Sequence, residues 1–445
     1  MGTSTLLELE ALLSQAVGDW REFQTDTNIT AGTTARIIST TLQNYDGGQD
    51  DYFNDWWAYI SSGSALSSNV GVQRQVKNYE TSAGRLDLRG AALKAETSAV
   101  KVRLHRFNRN NYIRALNRAS EQLFPSLYIP VEDLTLVTGN ILPNASFEDW
   151  AVSTVPDKWT GMFGGIGTVS KNTTAGLFRH GSASVKLTGD AAVGPCRLYI
   201  SSDNWPRLLD LEGRSVSFYG WVNSEVADDC HVEIYTINKA GTTQTLTSTT
   251  THTAGRWNLL KLEDQSVNAD LDEIQLRLVM NTANKYSYFD DAIVCGRHLY
   301  EYYLPSAFQG QSSGLAQVYV QKEGYHSEPA YDLRPRKWDR ELFDITDDGS
   351  DRFLRLREMW SNYRRIRLVG YKPLETLSAD TDTISLDGAK LNLLIAQAAF
   401  NLYEMERGIV SSEDKSLYDR EMGYWANKMR TLKPTLEMMR PSHTR

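Results

Sequence analysis

Leu6, Leu7, Leu9, Leu12, Leu13, Ala16 and Val17 recur at the spacing of one helix face, with Ser4 or Thr5 placed to cap it. From about Gly32 the period shortens to two. Ile37-Ile38, Trp56 to Ile60, Val70 to Val76, Leu86 to Leu88 and Val100 to Leu104 read as short strands, with Asn44 to Gly48 and Glu80 to Gly84 as turns. A second helix is expected from Asn110 to Phe124, where Tyr112, Ile113, Leu116, Ala119 and Leu123 share a face and Pro125 ends it. Between Thr138 and His298 nearly everything alternates. Val216, Phe218, Gly220 and Val222 oppose Ser217, Tyr219 and Trp221, while Ile274, Leu276, Leu278 and Met280 form another stripe. Short strands separated by Gly, Asn, Asp and Thr turns indicate a sandwich.

Beyond Arg297 the pattern mixes again. Leu299 to Leu304, Leu315 to Val320, Arg352 to Leu356 and Arg364 to Val369 read as strands. A helix follows Asp387 as its cap, with Leu391, Leu394, Ile395, Ala398, Ala399, Leu402 and Met405 on its apolar face and Gly408 at its end. Ala396 and Phe400 lie off that stripe, so this helix needs neighbours on more than one side. A last helix spans about Ser412 to Lys433. The expected fold is therefore α+β and multidomain: a mixed helix and strand base made by both termini, with an inserted antiparallel β-sandwich of jelly-roll type. The expected boundaries are 1–137, 138–298 and 299–445. An inserted domain needs its own ends close together.

Length and charge narrow the function. At 445 residues the chain exceeds one ordinary core, and a net charge of −8 with no basic run argues against a chain-wide grip on nucleic acid. Cys196, Cys230 and Cys295 are too scattered for a disulfide framework and read as buried thiols. The amino terminus lacks the charged start and apolar run of a signal peptide, and no apolar stretch is long enough for a membrane span, so a protein made in the cytoplasm is expected. No G-x-S-x-G, H-E-x-x-H or P-loop motif occurs, and the seven histidines never take metal-ligand spacing. Gly164-Gly165-Ile166-Gly167 is glycine-rich but sits in a β-only region. The acid pairs Asp228-Asp229, Glu263-Asp264, Asp290-Asp291 and Asp347-Asp348 are adjacent, and neighbours on a strand point to opposite faces, which suits acid/base catalysis poorly. The expectation is a structural or binding protein, not an enzyme.

Two resemblances add to this. Asn144 to Trp150, Val155 to Trp159, Gly181 to Leu187 and Tyr288 to Ile293 together resemble carbohydrate-binding modules of jelly-roll type. The resemblance implies a structural calcium ion held by Glu148 and Asp291, joined by a backbone carbonyl near Lys171; as residues alone, the two acids read equally as solvated groups at a sheet edge. It also implies a glycan platform, for which Trp205, Tyr219, Trp221 and Tyr235 are the candidates, although aromatics at strand spacing also make core. The flanking regions, through Tyr112 to Ala119 with Leu123-Phe124-Pro125, and Arg365 to Leu374 with the helix from Leu391, resemble neck proteins of tailed bacteriophages.

That second resemblance implies a virion protein: a head-to-tail adaptor in a homomeric ring of about twelve copies beneath the portal protein, touching other neck or tail proteins. Arg364, Arg365 and Arg367 would then face genome DNA in the channel or a neighbouring subunit, or form a solvated strand face. The alternative is a glycan-binding fibre or accessory module that recognises a surface polysaccharide.

Overall fold

The structure is a computed structural model that describes residues 2–27, 29, 35–63, 69–161, 167–190, 195–310, 314–322, 338–386, 388–407 and 412–437. Asp387, Gly408 and Gly164–Ile166, singled out above, lie outside the described residues. The chain divides into two compact units, one made of residues 1–129 with 373–445 and the other of residues 130–372. The described elements are mostly antiparallel β-sheet, with few helices.

In the first unit, Thr5 caps the helix Leu6–Val17 through a reciprocal pair: the Glu8 amide donates to Thr5 Oγ1 (3.2 Å) and the Thr5 amide to Glu8 Oε2 (2.8 Å). Gly18 closes it at φ 80°, a left-handed position that favours glycine. A six-stranded antiparallel sheet follows, in the order 21–24, 101–105, 57–62, 73–80, 85–88, 36–38. Phe23, Ile37, Phe53, Val76, Tyr79 and Leu104 fill its core. The helix Arg109–Leu123 buries Tyr112, Ala115, Leu116, Ala119 and Leu123. The helix Gly388–Glu406 buries Leu393 to Ala396 together with Ala398, Ala399, Leu402 and Tyr403, more than one face can hold. Its neighbours are the helices Leu6–Val17, Arg109–Leu123 and Ser412–Glu437 of the same unit, so the off-stripe apolar residues find their partners inside this bundle.

The second unit contains the sandwich. One sheet runs in the order 167–172, 184–189, 286–295, 215–224, 257–266, and the facing one 243–247, 230–238, 271–280, 196–201, 160–161, all antiparallel. Val185, Leu187, Phe218, Val222, Leu260 and Phe289 meet Leu198, Ile200, Val232, Ile234, Leu276 and Leu278 between them. All three cysteines are buried and unpaired.

The unit does not stop at 298. A three-stranded sheet (301–303, 352–356, 343–347) and a four-stranded one (338–341, 314–321, 366–372, 129–133) belong to it. Tyr302, Leu304, Phe308, Val318, Phe353, Leu354 and Ile366 join the same apolar cluster as the sandwich interior. The boundary expected at 298 is thus corrected to 372, because these strands bury their apolar faces against the sandwich. Strands Ile129–Asp133 and Ile366–Lys372 lie side by side, so the unit's two ends are adjacent.

Candidate functional site

The inner and outer faces of the first sandwich sheet follow from parity. With Val185, Leu187, Val222, Leu260 and Phe289 turned into the core, the alternate residues turn outward. Strand register then aligns one outward row across all five strands: Trp257 opposite Asn223, Asn223 opposite Tyr288, Tyr288 opposite Lys186, and Lys186 opposite Ser170. Neighbouring strands stand about 4.8 Å apart, so the row is roughly 19 Å long.

Tyr286, 38% exposed, packs edge-on against Tyr288 with ring centroids 5.6 Å apart. The Lys186 ammonium sits 4.7 Å from the Tyr286 ring centre and 5.9 Å from that of Tyr288. Burial, then the neighbouring Tyr286, pushes the Tyr288 phenol above its ordinary range, so it stays a neutral hydroxyl. Trp257 is half-buried, its indole N–H donating to the Gly176 carbonyl (3.3 Å), which fixes the ring. Lys285 and Glu225 pair at 2.9 Å near the Tyr286 end.

The rest of this face is covered. Trp221 is 3% exposed beneath the Arg179 guanidinium, 4.0 Å from its ring. Asp290 accepts from the amides of Arg179 (2.5 Å), His180 (3.1 Å) and Asp291 (2.7 Å). Burial, then the charge on Asp291, pushes Asp290 well above the usual carboxylate range. Asp291 adopts φ 53° at a bulge, and after it Ile293 and Cys295 share the outer face with Val137, Tyr219 and Tyr363. Burial also opposes charge on Asp291, but Arg365 and His180 outweigh it and hold that carboxyl well below the usual range.

The expected platform residues fare unequally. Tyr219 stands edge-on to Tyr363 (5.6 Å) and its hydroxyl donates to Glu263 (3.0 Å). Trp205 is buried, donates its indole N–H to the Ile141 carbonyl (3.0 Å) and packs against Tyr303. Tyr235, on the other sheet, lies 3.8 Å from the Arg277 guanidinium, which covers its ring. The exposed Tyr286, the half-buried Trp257, Asn223 and Lys186, and the nearly buried Tyr288 between them were not singled out from sequence. Their alternation with core residues was the available signal, but parity alone does not say which part of a face a loop covers.

Glu148 and Asp291, the expected calcium ligands, each have their own partners in this structure. The Glu148 carboxylate takes the amides of Ser182 (2.9 Å) and Ala183 (3.0 Å) and the Ser182 hydroxyl (2.7 Å). Asp291 pairs with the Arg365 guanidinium and with His180 Nδ1 (2.9 Å). The positive partner that an ion would supply comes here from N–H donors, and among the described residues no group of three or more potential metal-ligating side chains occurs. The Lys171 amide donates to the Ser153 carbonyl (3.2 Å).

The arginine strand also needs correction. Arg365 is 1% exposed, so it faces neither a channel nor a neighbouring subunit. Arg364 donates to Ser361 Oγ and the Lys322 carbonyl (both 2.6 Å), and Arg367 pairs with Glu132 (2.8 Å).

No family model and no curated protein matches the chain. Similar solved structures include the C-terminal family 22 carbohydrate-binding module of Clostridium thermocellum Xyn10B, at 14% identity over 37% of this chain and 92% of that one, with a TM-score of 0.28. Another is TmCBM61 in complex with β-1,4-galactotriose, at 15% identity over 36% and 99%, TM-score 0.24. A third is the enzymatically active domain of bacteriophage CBA120 tailspike protein 4, at 12% identity over 36% of this chain but 22% of that one, TM-score 0.27. At these scores the likenesses carry no argument, and the functional reading rests on the face itself. Among the described residues no helix is long and apolar enough to cross a membrane.

Proposed function

We propose that this is a non-enzymatic glycan-binding protein whose sandwich holds an extended oligosaccharide along the row Trp257–Asn223–Tyr288–Lys186–Ser170, with Tyr286 beside it. The observation that carries this reading is the alternation of flat rings and hydrogen-bonding side chains along one outward, register-aligned row that is half-buried except at Tyr288, which is nearly buried. A pyranose ring offers apolar C–H faces and a polar rim of hydroxyls. Trp257 and Tyr286 suit the first; Asn223, Ser170, Lys186 and the neutral Tyr288 hydroxyl suit the second. A row of roughly 19 Å fits a short run of sugars, which favours chain polysaccharides over single sugars.

The adaptor-ring expectation is not carried forward. Its channel contact rested partly on Arg365, which is internal, and the helix that wanted neighbours has them within its own bundle. The reading is tested by screening the protein on an array of bacterial and plant polysaccharides, then repeating the positives with Trp257→Ala and Tyr286→Ala. Each substitution should weaken binding by about 1–2 kcal/mol, near tenfold. Binding that survives both substitutions unchanged, or no binding to any neutral polysaccharide, sinks the proposal.

A further inference from the structure

A cleft of about 360 Å³ lies elsewhere on the same unit, lined by Trp205, Arg207, Asp210, Arg297, Tyr300 and Arg355 among others. It opens where strand Ser215–Ser224 begins, whereas the aromatic row crosses that strand at Asn223. Eight residues of strand put the two roughly 25 Å apart.

The cleft is a preorganised polar site. Arg207 pairs with Glu301 at 2.9 Å, and Arg297 with Asp210 at 3.0 Å. The Arg207 guanidinium carbon also sits over the Phe353 ring, 4.1 Å from its centroid, which limits its freedom. Trp205 and Tyr303 pack edge-to-face with centroids 5.6 Å apart, and Tyr300 is 47% exposed at the rim. Arg355 stands between Glu301 and Asp344 in cross-strand register, its charge bearing on Asp344, and its guanidinium makes no hydrogen bond among the described residues. The lining thus carries three guanidinium groups against two carboxylates.

An arginine–carboxylate pair presents a donor and an acceptor side by side, which matches two adjacent sugar hydroxyls. A third arginine with no hydrogen bond of its own adds a fork suited to a carboxylate. The volume falls within the range of small-ligand sites. We propose that this cleft is a second saccharide site, specific for a sugar that bears a carboxylate, with Arg355 as the carboxylate's partner. It is independent of the aromatic row and takes ligands of different charge.

The test uses the full chain and calorimetry against trigalacturonate and a sialylated trisaccharide, with neutral maltotriose alongside. At least one acidic probe should bind, and its affinity should fall as salt rises. Arg355→Ala, an exposed substitution that leaves the core intact, should weaken the acidic probe tenfold or more. The outside control Arg89→Ala, an exposed arginine of the other unit, should leave it unchanged. Failure of both acidic probes, or equal affinity in Arg355→Ala, overturns the cleft proposal. Absence of neutral-polysaccharide binding on the array overturns the aromatic row instead, so the two readings fail separately.

Discussion

Asp291, Arg365 and His180 show how one buried cluster can look like something else in sequence. An acid in the closing strand and an arginine in a basic run were legible as residues; their pairing was not, because they lie far apart in the chain and meet only through the bulge at Asp291. Arg365 is 1% exposed, so Arg365→Leu leaves a buried carboxylate without its cation. It should cost about 3–5 kcal/mol, read as a lower denaturant midpoint. Arg367→Leu, which removes a partly exposed pair, should cost less than about 1 kcal/mol. Acidity probes the histidines. Burial holds His180 and His252 below their ordinary value of 6.5, and the Asp228 amide donates to His252 Nδ1 at 2.7 Å. A folded-state value below the unfolded one means that the unfolded chain binds more protons, so stability is present above the ordinary value and is lost as pH falls below it. Melting temperature should therefore drop between about pH 7 and pH 5, and His180→Gln with His252→Gln should flatten that slope. A slope unchanged in the double variant would assign the loss to other groups. Asp290, held above its ordinary value, works in the opposite direction: its share is present at low pH and lost as pH rises through its folded value.

Strands were legible as elements because a pleated surface half-buried in a core enforces period two, and Val216, Phe218 and Val222 show it plainly. Which outward residues stay open was not legible. Trp221 and Asn223 share a face and a strand, yet Arg179 covers the first and the second remains half-exposed. That difference is made by the loop carrying Arg179 and His180, anchored on Asp290, and no periodicity encodes it. The same limit applies to close approach. Gly370 looks like an ordinary strand residue, but a Cβ there would come within 2.1 Å of the Gly314 carbonyl oxygen and 2.7 Å of the Phe308 ring. Gly370→Ala should cost about 1–3 kcal/mol by overpacking, measured by urea unfolding, although exposed-strand propensity alone would favour alanine. Gly241→Ala offers a contrast, with open space around its Cβ but φ at 78°, so any cost there is backbone strain alone.

For the whole chain, the insertion of a β-only region between mixed termini was readable from the change of period, and its carboxyl-terminal limit was not. Residues 299–372 alternate less cleanly because their strands are short and face a sandwich edge, and their partner strand, Ile129–Asp133, lies ahead of the insertion in sequence. A pattern read locally assigns such strands to whatever follows them. The structure assigns them to the sandwich, through Tyr302, Leu304, Phe308, Val318, Phe353 and Ile366, all nearly free of solvent within one cluster. Two fragments separate these divisions. Residues 130–372 should fold alone, with a single cooperative urea transition, because both ends leave through neighbouring strands and the apolar cluster is complete. Residues 138–298 lack that second half, so Trp205 loses its cover from Tyr303 and Phe353. This shorter fragment should aggregate or unfold at markedly lower urea, with a smaller slope in keeping with less surface buried. Equal midpoints for the two fragments would show that the sandwich is complete at 298 and that the strands beyond it are only appended.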